Sequence, residues 1–382
     1  NKTIALDYRE MAPSAATRDM FLDREGDVDL IKARHSVHSA GVPGTVAGLI
    51  YALENYGTMS LKEVIKPAIN LAKNGFPLSR GLASSLIRYS DYLTKDPSSK
   101  AYFYKRDGEF YQAGELLIQR DLASTLKRIS KRGAGGFYTG ETADLLVEQI
   151  RRNRGLISHQ DLLNYKVIER QPVCGLYRDN KVCAMPPPSS GGVHLVQMLN
   201  ILEGWDLKAL GHNSAAYIHR LVESMRRAYA DRSLHLGDPD FHPVPAEQLM
   251  NKKYASLLRE KIDLSKASRS VDIKPVPSTA LNESTETTHF ATWDRWGNVV
   301  SNTYTINFSY GSGISVAGAG FLLNNEMDDF SSKPGSANGY GLVGGEANAI
   351  QPGKRPLSSM TPTIVFDPQG NAILATGSPG GS

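Results

Sequence analysis

From Lys261 to Thr285 the chain is polar and is broken by Pro275 and Pro277, and directly after Thr287 it alternates like a strand. Proline removes a backbone donor and fixes φ, so no helix or central strand carries through such a stretch. The chain is thereby divided into a long part dominated by helices and turns and a shorter, strand-rich part. Thr288 to Trp293, a turn at Gly297-Asn298 and Val299 to Thr305 read as two adjacent antiparallel strands. The join itself, Asn282-Glu283-Ser284-Thr285-Glu286-Thr287-Thr288-His289-Phe290, concentrates hydroxyl side chains and charges.

Thr287 admits two readings. A Thr-Thr pair opening a strand is ordinary β-branched propensity. Alternatively, the peptide bond between Glu286 and Thr287 is cut by the protein itself: the Thr287 hydroxyl attacks the Glu286 carbonyl, the acyl group shifts from nitrogen to oxygen, and water completes the cleavage. The freed α-amino group titrates near neutrality and can take the hydroxyl proton, so one residue supplies both nucleophile and base. A polar linker suits this chemistry, because the old C-terminus must separate from the new N-terminus. An ordinary surface loop has the same composition.

The 382 residues are compatible with one large α/β unit or two smaller ones. A formal net charge of +4 is mildly basic, but Lys and Arg are scattered among acids, which argues against nucleic acid as the partner. Apolar runs fall far short of the roughly 18 residues needed to span a bilayer. Asn1 to Asp7 reads as a strand already under way and Ser378-Pro379-Gly380-Gly381-Ser382 as a turn, so a further element is expected at each end.

Along the chain, Gly41-Val42-Pro43-Gly44 is a turn, and Ser60 with Glu63 forms a capping box for a helix ending at Asn74-Gly75. Lys131-Arg132-Gly133-Ala134-Gly135-Gly136 lacks the Gly-Lys-Ser/Thr ending of a phosphate loop and reads as a helix-to-helix turn. Thr142 to Asn153 is an amphipathic helix, and Ser158 caps the next one with Asp161 at its third position. Cys174 and Cys183 flank a hairpin whose turn is expected at Asp179-Asn180. That register sets the thiols diagonally, at about 7–8 Å, so a disulfide requires a shifted turn. Met185-Pro186-Pro187-Pro188 forces an extended segment that Ser189-Ser190-Gly191-Gly192 releases into a helix. A helix beginning near Ser214 carries Glu223, Arg226, Arg227, Tyr229, Asp231 and Arg232, expected to be a solvated face with salt bridges of little weight. The acids around Asp238-Pro239 read as a turn rather than a metal site.

Seven stretches resemble the motifs of γ-glutamyltranspeptidases, in that family's order. They are Asp7-Tyr8-Arg9-Glu10-Met11-Ala12-Pro13, Met185 to Gly192, Thr287-Thr288-His289-Phe290, Thr303-Tyr304-Thr305-Ile306-Asn307, Leu323 to Phe330, Arg355 to Pro362, and Gly377-Ser378-Pro379-Gly380-Gly381. The resemblance spans nearly the whole chain. It implies an α/β fold of two stacked, mainly antiparallel sheets between helix layers, the αββα arrangement of N-terminal-nucleophile hydrolases. It also implies a precursor whose residues 1–286 and 287–382 become large- and small-subunit portions of one structural domain.

The resemblance further assigns roles. Thr287 is the nucleophile and Thr305 the second threonine that supports it. Arg9, helped by Ser358 and Ser359, receives a substrate α-carboxylate; Asn307, Glu326 and Asp329 receive its α-ammonium; and the backbone of Gly380 and Gly381 forms the oxyanion hole. Ser331 to Gly345, with Tyr340, resembles the lid loop of some members. The implied reaction transfers a γ-glutamyl group from glutathione or a related compound to water or an amino acid or peptide acceptor, without metal or organic cofactor, in a periplasmic or secreted heterodimer. Each residue also has a plain structural reading: Arg9 as a surface ion pair, Asp329 as a helix cap, Ser358 as a turn residue. Rival functions are a same-fold acylase for β-lactam side chains, a transferase acting on poly-γ-glutamate, and an uncleaved binding protein.

Overall fold

The computed structural model describes residues 2–270, 272–273 and 287–380. At its centre is a four-stranded antiparallel sheet in the order Ala372–Thr376, Thr363–Phe366, Asn180–Ala184, Val173–Tyr177. Strands from both parts of the chain therefore share one sheet. The helix Gly191–Leu202 lies against the 173–184 hairpin, and a Cβ at Gly175 would come within 2.5 Å of Val196, so glycine is what lets the helix sit this close. The helix Ala215–His235 packs beyond it.

Against the Ala372–Thr376 side packs the second, two-stranded sheet, Thr288–Trp293 with Val299–Tyr304, registered so that Thr288 faces Tyr304. Ser301 links the two sheets: its hydroxyl donates to Thr376 O at 3.0 Å and accepts from Thr363 N at 3.1 Å. Helices, sheet and second sheet are thus stacked in that order, an α/β sandwich. Among the described residues the outer face of the second sheet leaves Phe290 and Val300 exposed.

The helices of the first part enclose their own apolar core around Ile129, Ala143, Leu146, Ile150 and Leu162, joined by Val316 and Leu323 from the second part. Burying side chains of this size stabilises by about 1.5–3 kcal/mol each. The expected helix signals are present: the Ser60–Glu63 capping box opens Leu61–Asn74, Gly75 ends it at φ 85°, and the Ser158–Asp161 box opens His159–Asn164. The first strand, Ala5–Asp7, pairs with Ile168–Arg170, which places Arg9 just past a sheet edge and inside the molecule.

Two expectations need correction. The 173–184 hairpin turns at Arg178-Asp179, both with positive φ, not at Asp179-Asn180. This two-residue turn follows the right-handed twist of the strands. Cys174 therefore stands directly opposite Cys183, their Cα atoms 4.1 Å apart, and the two are joined in a disulfide. Closing so short a loop should contribute about 2–3 kcal/mol through the unfolded chain. A Cys174→Ser/Cys183→Ser double variant is accordingly expected to unfold at lower urea, and an unchanged midpoint would contradict this.

The second correction concerns the charged helix. Glu223, Arg227 and Arg232 are buried rather than solvated. The segment that follows residue 255 folds back over the first two: Arg227 pairs with Glu223 at 2.7 Å and donates to Leu258 O and Lys261 O, while Ser268 caps the Glu223 carboxylate.

Candidate active site

Thr287 begins the second sheet, and its backbone N–H donates to Pro379 O at 2.6 Å, so the nucleophile candidate lies at the Gly377–Gly380 turn. Gly377 is in van der Waals contact with His289; a Cβ there would come within 2.3 Å of the ring. The Gly380 N–H points to the Ser378 hydroxyl at 3.2 Å. Glu286, the residue before the expected cleavage point, and Gly381, the second expected oxyanion donor, lie outside the described residues. Thr305 follows the partner strand, one residue beyond the pairing of Thr288 with Tyr304, and accepts from the Asn307 N–H at 2.9 Å.

From Thr305 the chain makes a sharp bend. Asn307 has φ 74°, a left-handed conformation that costs side chains energy and that asparagine tolerates better than most. The bend buries Asn307 and lets its Nδ2 donate to Asn325 O at 2.9 Å, which brings Asn307 beside the 3-10 helix Glu326–Asp329. Asn325, which sequence reasoning gave no role, holds the other side by accepting from Phe308 N–H at 3.1 Å.

Arg9 reaches the same place from the opposite side. Its guanidinium contacts Glu326 at 2.5 Å, pairs closely with Asp329, and donates from Nε to Pro356 O at 3.3 Å, while Tyr165 donates to Arg9 O at 2.9 Å. Burial works against the guanidinium charge, but Glu326 and then Asp329 outweigh it and hold the group well above its ordinary range. Burial pushes the Glu326 and Asp329 carboxyls up, each against the pull of Arg9. Glu10, 4.0 Å from the guanidinium, is raised to about 7 by the same burial. Asn307 Oδ1 and Glu326 Oε1 are buried acceptors with no hydrogen-bond partner among the described residues. Leaving such groups unmet costs about 1–3 kcal/mol each, so the site is built for a donor that arrives from outside.

Ser358 is fixed through its backbone. It forms a parallel bridge with Ser189, donates from N to Pro188 O at 2.8 Å, and its carbonyl accepts from Ser190 N and Ser190 Oγ. The triple-proline segment thus serves as the scaffold on which Ser358 and Ser359 are set. The plain surface reading of Arg9 fails, because it is 6 % exposed.

The loop 331–345 covers the site. Tyr340 donates to Asn307 O at 2.7 Å, and Asn338 donates to Asp329 Oδ1 at 3.1 Å. The neighbouring Asp328 accepts from Gly339 N–H at 2.7 Å and from Arg34 Nε at 3.0 Å. Asn338, Gly339, Asp328 and Arg34 received no role from the sequence, since they meet only when the loop folds over. Burial raises the Asp328 carboxyl to about 6, against the pull of Arg34. Between its ordinary value near 4 and about 6, the folded protein holds a proton that the unfolded chain releases, so the contribution of Asp328 falls as pH rises through this window. An Asp328→Asn variant lacks that dependence. Relative to wild type it should gain about 1 kcal/mol on going from pH 5 to pH 7, read from urea midpoints at both pH values; a constant difference would contradict the assignment.

A threonine opening an edge hairpin, that hairpin stacked on a sheet with helices beyond, and a turn of glycines against the threonine nitrogen define the class as the N-terminal-nucleophile hydrolase fold. Solved structures agree. The gamma-glutamyltranspeptidase of Helicobacter pylori superposes with a TM-score of 0.71 at 46% identity, covering 72% of this chain and 78% of that one. Cephalosporin acylase from Bacillus halodurans reaches a TM-score of 0.78 over 97% of this chain and 65% of that one at 24% identity, a likeness of fold alone. A family model described as Gamma-glutamyltranspeptidase matches residues 1–382, and the chain belongs to that family. It is 50% identical over 381 residues to the glutathione hydrolase proenzyme of Escherichia coli (strain K12), covering 100% of this chain and 65% of that protein's length.

Proposed function

We propose that the protein is a self-processing γ-glutamyl hydrolase and transferase, cut between Glu286 and Thr287 into a large portion, 1–286, and a small portion, 287–382, that remain one structural domain. The observation that carries this reading is the buried Arg9, paired with Glu326 and Asp329 and flanked by the unmet acceptors of Asn307 and Glu326. A substrate bearing an α-carboxylate and an α-ammonium on one carbon replaces that internal pair charge for charge: the carboxylate goes to Arg9, Ser358 and Ser359, the ammonium to Asn307, Glu326 and Asp329. A neutral acyl chain entering the same place would leave three charges without new partners.

With the α-end so held, the γ-carbonyl is presented toward Thr287. Its hydroxyl oxygen adds to the carbonyl carbon while the hydroxyl proton passes to the freed α-amino group, and the oxyanion accepts from the Gly381 N–H and from the Gly380 N–H, which turns to it from the Ser378 hydroxyl. The amine leaving group departs with that proton, leaving a γ-glutamyl ester on Thr287. Water or an acceptor amine then adds to the ester, restoring the hydroxyl. Thr305 supports the nucleophile, and Tyr340 with its loop shields the ester from bulk water. Glutathione is the natural donor by likeness to the Escherichia coli protein's name. The Cys174–Cys183 disulfide supports a periplasmic or secreted location, since such bonds persist in oxidising compartments. No helix among the described residues is long and apolar enough to cross a membrane.

The test compares hydrolysis of γ-glutamyl anilide with that of glutaryl anilide, which lacks only the α-ammonium. The expected result is a preference of at least about a hundredfold for the first, the worth of a buried charged partner. Equal rates, or a preference for the glutaryl compound, would favour an acylase.

A further inference from the structure

Arg232 is buried, 4 % exposed, in the middle of the molecule, yet no carboxylate lies within salt-bridge distance of it among the described residues. Its neighbours at hydrogen-bond distance are two serine hydroxyls: Nε donates to Ser190 Oγ at 3.2 Å and Nη2 to Ser359 Oγ at 3.4 Å. A buried guanidinium without a counter-charge is costly, and chains keep one where an anion is to be met. Both serines belong to the wall that sets the carboxylate subsite. Ser190 passes its own hydroxyl hydrogen to Ser358 O at 3.0 Å, whereas the Ser359 hydroxyl hydrogen has no acceptor among the described residues. By filling a lone pair of Ser359, Arg232 turns that hydrogen away from itself.

We propose that Arg232 is the second cation of the α-carboxylate subsite, a positioning residue that aims the Ser359 hydroxyl at the substrate carboxylate and supplies positive field behind it. This rests on the γ-glutamyl reading above. Two cations, Arg9 and Arg232, then stand near the buried carboxyls of Glu326, Asp329 and Glu10. Arg232 also lines a cleft of about 210 Å³ with Tyr229, Ser233 and Gly341, Leu342 and Val343 of the covering loop.

The test uses the processed enzyme with two donors, L-γ-glutamyl anilide and 4-aminobutyryl anilide, which lacks only the α-carboxylate. Arg232→Gln is expected to lower kcat/KM for the γ-glutamyl donor by about ten- to a hundredfold, mostly through KM, and to change the 4-aminobutyryl donor by less than about threefold. Where Arg232→Gln fails to process, Arg232→Lys serves instead; it keeps the charge but loses the fork to two serines, and about a tenfold loss confined to the γ-glutamyl donor is expected. A second readout is coupling: Ser359→Ala should cost much less in the Arg232→Gln background than in wild type. A parallel fall with both donors, or additive effects with Ser359→Ala, would overturn the proposal and leave Arg232 a folding residue. Wild-type enzyme with no γ-glutamyl turnover would instead sink the functional reading on which it stands.

Discussion

A Thr287→Ala protein is expected to stay as one uncleaved chain and to lose γ-glutamyl turnover by about ten-thousandfold or more. Both losses have one cause. The hydroxyl that would attack the Glu286 carbonyl during processing is the hydroxyl that would attack substrate afterwards, and alanine has neither. The fold should survive, because Thr287 is only partly buried and its recorded link to the turn, N–H to Pro379 O, is made by the backbone. Thr287→Ser keeps the hydroxyl and should process more slowly while retaining measurable turnover. An SDS gel after prolonged incubation, with an anilide assay beside it, reads both variants. A Thr287→Ala chain that splits at the same point, or that turns over substrate at a tenth of the wild-type rate, would remove Thr287 from the mechanism.

Removing Arg9 should have the second-largest effect, and on two observables together. In Arg9→Gln the buried carboxyls of Glu326 and Asp329 lose the cation that contacts both. Deleting one partner of a buried ion pair costs about 3–5 kcal/mol, so a clear drop in unfolding temperature is expected even without substrate. The two carboxyls relieve part of this by taking up a proton, which makes the loss smaller at low pH than at high pH. Activity should fall by about a thousandfold, since the α-carboxylate loses its direct cation. Asp329→Asn in the same background should recover stability without recovering activity, because one negative charge is gone while the carboxylate subsite is still missing. A stable Arg9→Gln protein would mean that the three groups do not share one buried charge balance.

The parts of the fold legible in sequence were those with local causes. The Ser60–Glu63 and Ser158–Asp161 capping boxes, the stop at Gly75 and the paired strands after Thr287 all follow from residues within a few positions of one another. The cysteine pair was misplaced by a local ambiguity of one residue. Asp179-Asn180 and Arg178-Asp179 both satisfy turn composition, and only the pairing of Val173–Tyr177 with Asn180–Ala184 decides between them. The charged face of Ala215–His235 was misjudged for a longer-range reason. Charge alone says solvent, but Ser224 and Ala228 stand four residues apart between the charged positions, and small residues at helical spacing are the signal that this face packs inward. The candidate site residues were picked out because their motifs arrive in a familiar order. Their mutual arrangement was not: nothing in the sequence says that Arg9 contacts Glu326 and Asp329 directly, or that Asn338 and Gly339 fold back onto Asp329 and Asp328.

The central claim is that Thr287 carries the γ-glutamyl group. The most direct measurement is mass spectrometry of the protein after inactivation by a diazoketone analogue of glutamine, whose α-end is that of the substrate and whose reactive carbon sits at the γ-carbonyl. The expected result is one adduct per molecule, on the fragment whose first residue is Thr287, blocked by prior addition of glutamate and absent in Thr287→Ala. Complete inactivation with the adduct on any other residue, or an adduct on a chain still uncleaved between Glu286 and Thr287, would contradict it.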